Sequence, residues 1–165
     1  MTQRTCIVVA DASRARLFLH EREVSIDDTR DELIECADLV NPARRLTPNE
    51  LFSDTRTGSS REGGRHFGFD DHRDAHVDNL DDEFARLVSQ EIEQLASDRA
   101  ARRVVVCASP HMLGLVRRHL PNRPGTMFDE LAKDLVKLSP SELRAQLATY
   151  GVLPPRPERP GLPLT

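Results

Sequence analysis

The chain has 165 residues, 38% of them apolar and 30% charged, with a net charge of −4. That length suits a single domain whose core needs neither disulfides nor a metal. No apolar run approaches the ~20 residues of a membrane span, the run after Met1 meets Asp11 too early for a secretory signal, and Cys6, Cys36 and Cys107 are too few and scattered for a disulfide scaffold. The expectation is a cytoplasmic protein without membrane insertion, its three thiols buried and inert.

Cys6–Ala10 is an unbroken apolar run that reads as a strand, and Asp11-Ala12-Ser13 as the turn after it. From Arg14 to Glu21 the residues alternate, with Ala15, Leu17 and Leu19 on one side and Arg14, Arg16 and Phe18 on the other. A period of two predicts a second strand with one wet face. Leu33–Val40 supplies a third, stopped by Asn41-Pro42, with the polar stretch Asp27–Glu32 as the connection.

Residues 41–78 contain Gly58, Gly63, Gly64 and Gly68, many charges and no helix or strand period, so a long loop is expected there. A stretch of more than ~15 structureless residues in a domain is commonly functional or disordered. A helix follows from Asn79, with Leu80, Phe84, Leu87, Val88, Ile92 and Leu95 on one stripe and Asp78 or Asn79 as its cap. Val104–Ala108 reads as a central strand covered on both faces. Ser109-Pro110 opens a second helix, with Leu113, Val116 and Leu120 as its apolar face.

A short apolar element is expected around Met127-Phe128, then a final helical region from near Asp129, interrupted at Ser139. Ser139-Pro140-Ser141-Glu142 matches a capping box, and Gly151 closes the last helix. Residues 153–165 form a Pro-rich tail. The order β-β-β-(long loop)-α-β-α-β-α predicts a single α/β domain over residues 1–152, a mixed β-sheet with helices packed on it.

Charge is unevenly distributed. Residues 1–100 carry a net of −9 and residues 101–165 a net of +5. Arg102, Arg103, Arg117, Arg118 and Arg123 are the candidate phosphate-facing residues, because a strand and its following helix run antiparallel and can bring them to one edge. Six Phe, one Tyr and no Trp leave little for base stacking. His66, His72 and His76 with Asp70 and Asp71 form a weak metal candidate, since Arg73 stands where a metalloprotease has its glutamate. Gly58–Gly64 lacks the lysine of a phosphate-binding loop, and no nucleophile elbow is present, so neither catalytic residue nor cofactor is assigned.

Val8–Phe18, with Asp11, Arg14 and Arg16 inside it, resembles the opening of the bacterial family of proteins required for attachment to host cells. Asn41-Pro42-Ala43-Arg44, Ser53-Asp54-Thr55-Arg56-Thr57-Gly58, Phe84-Ala85, Val105–Pro110, Leu113–Arg117 and Glu130–Leu135 continue the resemblance in order. It covers residues 5–148. The family's fold is similar to the middle domain of archaeal and eukaryotic peptide-chain release factors, whose long loop bears Gly-Gly-Gln. Here the matching loop would place Ser53, Asp54, Arg56, Gly58 and Gly63-Gly64-Arg65 on the probing element, with arginine in place of the glutamine.

Three readings follow. The first is a non-catalytic ribosome- or tRNA-associated domain acting in translation or its quality control. The alternative is an interaction protein involved in attachment, with a protein or host-surface partner. The third is a metal-dependent hydrolase using the loop histidines. A homo-oligomer is compatible with each.

Overall fold

The two most continuous apolar runs lie side by side as parallel strands at the centre of a five-stranded sheet. The computed structural model describes residues 1–45 and 67–158. Its strands are β1 (Thr2–Ala10), β2 (Arg14–Val24), β3 (Thr29–Val40), β4 (Arg103–Cys107) and β5 (Met127–Leu131), in spatial order β3-β2-β1-β4-β5. The first three form an antiparallel meander, while β4 runs parallel to both β1 and β5. The helices are α1 (Pro42–Arg45), α2 (Phe67–Asp98), α3 (Pro110–His119) and α4 (Pro140–Thr149). This is the single mixed α/β sheet that the residue pattern predicts, with one short helix added among the described residues.

Alternation along the central strands fills two cores. Cys6, Val8, Val104 and Val106 pack under α2 and α3 with Phe84, Val88, Ile92, Met112 and Val116. Ile7, Val9, Val105 and Cys107 face the other way, onto Leu135, Val136 and α4's Leu143 and Leu147. Ser89 ties the two helices of the first layer, donating to the carbonyls of Ala85 (2.8 Å) and Val116 (3.3 Å). Both helices that open on Ser-Pro are capped as the sequence predicts, by Ser109 and by Ser139, whose hydroxyl also donates to Glu142 (2.9 Å).

Several expectations need correction. Helix α2 begins at Phe67 rather than Asn79, so the expected 41–78 loop is already helical from residue 67 and again at 42–45. Residues 67–78 are polar and show no apolar period, so the sequence pattern alone does not mark them as helix. Within the stripe, Phe84, Val88 and Ile92 are buried but Leu87 is half exposed.

The β2–β3 connection is only Ser25–Asp28, closed by the Ser25 amide donating to the Asp28 carbonyl (2.9 Å). Pairing continues through Glu21↔Glu32 to Val24↔Thr29, so residues 29–32 belong to the strand. Near Asp129 the chain is strand, not helix, because parallel pairing with β4 carries β5 to Leu131, and α4 starts only at Pro140.

The expected wet face of β2 is dry in its middle: Arg16 is only 6% exposed, beside Phe18 in the α4-side layer, while Arg14 stays partly exposed. Cys36 is exposed, against expectation. The register jumps from Leu17↔Ala37 to Phe18↔Glu35, so Cys36 is the extra residue of a bulge. Past that bulge the alternation inverts, and Ala37 and Leu39 pack on one face while Leu33 packs on the other.

Candidate functional site

At the carboxyl ends of β1 and β4 the motif residues form one continuous set of bonds. Asp11 accepts from the amides of Ser13 (2.8 Å) and Arg14 (2.7 Å) and from the Ser13 hydroxyl (2.7 Å), which fixes the β1–β2 turn. Asn41 fastens that turn to the end of β3. Its amide donates to the Ser13 carbonyl (2.8 Å), its side chain donates to the Ala12 carbonyl (2.9 Å), and its side-chain oxygen accepts from the Ala43 amide (3.2 Å) at the start of α1. The sequence pairs Asn with Pro here because Asn caps and Pro suits the first helical position.

Arg44 then reaches α2 and grips Asp81 through one edge of its guanidinium, Nε at 3.2 Å and Nη2 at 2.7 Å. Asp81 is buried, Arg44 partly exposed. The pair therefore ties α1 to the middle of α2, fourteen residues after that helix begins at Phe67. His111, near the start of α3, lies 3.7 Å from Asp81 and is exposed. Asp78, Asp81 and His111 bring ligand atoms within 4.8 Å of one another. Arg44 already occupies both oxygens of Asp81, so the cluster is built as an ion pair rather than an open cation cage.

The other motif arginines are structural staples. Arg14 forks onto Asp38 (2.8 and 2.6 Å). Arg16 bonds Glu35 (2.8 and 3.1 Å) and the carbonyls of Val136 (2.9 Å) and Leu138 (2.6 Å), joining β2, β3 and the approach to α4.

The candidate phosphate-facing arginines are dispersed. Arg103 turns toward the α4 side, bonding Asp129 (2.8 Å) and the Val152 carbonyl (2.7 Å). Arg117 and Arg118, on α3 across the sheet, pair with Glu130 and Asp82. Arg123 donates to the Glu93 carbonyl at 3.3 Å, and Arg102 is exposed in the turn before β4. Three of the five thus carry a carboxylate partner, which reduces their pull on phosphate. Ser53, Asp54, Arg56, Gly58, Gly63, Gly64, Arg65 and His66 lie outside the described residues, and His72 and His76 sit on α2.

A second buried charge cluster escaped the sequence reading. His20, Asp31 and Arg144 are each almost fully buried, with Arg144 forked onto Asp31 (2.8 and 2.9 Å) and His20 Nε2 3.1 Å from it. Arg144 also donates to the Pro154 carbonyl (2.7 Å), and Arg22 to that of Pro155 (3.3 Å). Together with buried Leu153, these bonds hold the first residues of the Pro-rich tail. Burial alone would raise the Asp31 carboxyl, but hydrogen bonds from Arg144 and His20 outweigh it and hold the group below its ordinary range. Burial lowers His20, against the pull of Asp31. The buried thiols of Cys6 and Cys107 are pushed up to about 12 by desolvation, which keeps them protonated and non-nucleophilic at neutral pH.

The profile of a family described as "Protein required for attachment to host cells" matches residues 6–147. The chain belongs to that family. The match spans both the 11–16 and 41–44 motifs, the residues that build the carboxyl edge. No curated protein matches the sequence. A solved structure described as an archaeal protein superposes with a TM-score of 0.32 and 13% identity, over 87% of this chain and 34% of its own. This family member thus spans about a third of that protein's length, and a likeness at that score carries no argument. Nothing in the geometry or the comparisons supports a ribosome or tRNA partner, and among the described residues no helix is long and apolar enough to cross a membrane.

Proposed function

We propose that this protein takes part in attachment to host cells as a non-catalytic binding module, engaging a protein partner through the carboxyl edge and segment 46–66. Family membership over residues 6–147 is the observation that carries the reading. The edge supports it, because Asn41 and the Arg44–Asp81 pair fasten the residues just before the segment to the sheet and to α2. Binding residues are commonly carried by segments that leave such a rigid scaffold. The setting belongs to the same proposal: the protein acts from the cytoplasm, where its three unpaired cysteines persist as thiols, and its effect on attachment passes through the partner.

The test is complementation of a deletion strain in an attachment assay. Replacing residues 46–66 by a Gly/Ser segment of equal length should remove complementation, and Arg44→Glu should reduce it while melting stays cooperative. Full complementation by the replaced segment would overturn the role of the edge. Release of the protein by protease shaving of intact cells would overturn the cytoplasmic setting.

A further inference from the structure

At the opposite end of β4 lies a surface that the attachment reading does not use. Among the described residues β5 is the terminal strand of the sheet and pairs only with β4. The Met127 amide donates to the Arg102 carbonyl (2.8 Å), and the Leu131 carbonyl accepts from the Ala108 amide (3.1 Å). Residues 127, 129 and 131 therefore turn their backbone groups inward, and by alternation Phe128 and Glu130 turn theirs to the open edge. Among the described residues no strand covers them.

A cavity of about 170 Å³ borders this edge. Its floor is apolar, made by Ile92, Ala96, Val104 and Leu120, with Phe128 at the β5 side. That volume is close to the ~150 Å³ of cavities that take up benzene, so it suits one phenyl or isobutyl group. Arg117, Arg123 and Glu93 are also among the residues that line it. Arg117 is paired with Glu130, whereas Arg102 and Arg123, which flank the start of β5, have no carboxylate within ion-pair distance among the described residues.

We infer that the β5 edge is a strand-addition site for an extended segment of a protein partner, which places one Phe or Leu side chain in the cavity and acidic residues beside Arg102 and Arg123. Main-chain bonds to Phe128 and Glu130 supply the docking, and the cavity supplies the selectivity, as in other strand-addition interfaces. A second copy of the chain is a poorer occupant. Strand pairing between two β5 edges would bring only Asp129 and Glu130, each already paired with an arginine of its own copy, and no free carboxylate for Arg102 and Arg123.

The inference rests on the reading of the chain as a binding module, but the surface lies at the other end of β4 from Asn41 and Arg44, which precede segment 46–66. The test uses the purified full chain and fluorescein-labelled Ac-Asp-Val-Phe-Val-Asp-NH2, followed by anisotropy and by amide shifts of residues 127–131. Binding should weaken at least tenfold when the peptide's Phe becomes Ala or when its alternate amides are N-methylated. Ala96→Leu, which fills the cavity, should weaken it tenfold, and Arg123→Glu should weaken it severalfold and flatten its salt dependence. Absence of binding to the wild-type chain overturns the inference, and so does indifference to N-methylation. If Ala96→Leu melts non-cooperatively, Arg123→Glu and the N-methylated peptide still decide. A concentration-dependent dimer that Phe128→Lys abolishes would show that the edge serves a second copy instead. Loss of attachment by the segment-replaced chain with peptide binding intact separates this surface from the carboxyl edge.

Discussion

Arg16 is the motif residue whose role is most sharply testable, because a buried staple and a solvent-facing strand residue behave oppositely on substitution. Its guanidinium is nearly dry, holds Glu35 with two bonds and caps the carbonyls of Val136 and Leu138. Arg16→Met keeps the apolar stem beside Phe18 and removes all four bonds. Two carbonyls then lose their donor, and a buried group left unsatisfied costs ~1–3 kcal/mol. Glu35 is about one-third exposed, so water rehydrates much of its carboxylate and its loss adds little. The net destabilisation should be about 3 kcal/mol, or a fall of ~6–12 °C in melting temperature for a chain of this size. Urea unfolding followed by far-UV circular dichroism measures it, with an unchanged m-value as the check on two-state behaviour. Arg16→Lys should fall in between, since one ammonium cannot span the fork and both carbonyls. A loss below ~1 kcal/mol for Arg16→Met would refute the staple.

Further outcomes follow from other residues. His20 is buried with its pKa lowered, so the unfolded chain takes up a proton that the folded chain refuses; stability should fall as pH drops below about 6.5, by at most ~1.4 kcal/mol per pH unit. His20→Gln should flatten that slope, and an identical slope in the variant would exclude His20 as the cause. Asp31, held low, contributes stability that is present above its ordinary pKa of 3.8 and is lost only in stronger acid. With a thiol reagent at pH 8, Cys36 should react quickly while Cys6 and Cys107 wait for unfolding, a stoichiometry of one rising to three. Gly151 adopts φ +73° after α4, so Gly151→Ala should cost ~1 kcal/mol through the left-handed backbone alone, readable as a lower urea midpoint.

What the residues alone determined is whatever rests on local pattern. The apolar runs at Cys6–Ala10 and Val104–Ala108, the Ser-Pro helix starts, the closing glycine and the stripe from Phe84 to Ile92 all signal through their nearest neighbours in the chain. The family motifs were legible too, at 11–16 and 41–44, but not what they do. Arg16 alternates like a solvent-facing strand residue and is dry only because the approach to α4, 120 residues later, folds over it. The polar start of α2 has no apolar period to display. The bulge at Cys36 shows only in the pairing of β2 with β3, and it alone decides which face each half of β3 presents. The basic second half looked like one patch because charge adds along a sequence. In space the sheet divides it, and Asp129, Glu130 and Asp82 pair three of its arginines. Asp31 and Arg144, 113 positions apart, meet only in the tertiary structure, where burial turns two ordinary charges into one fork.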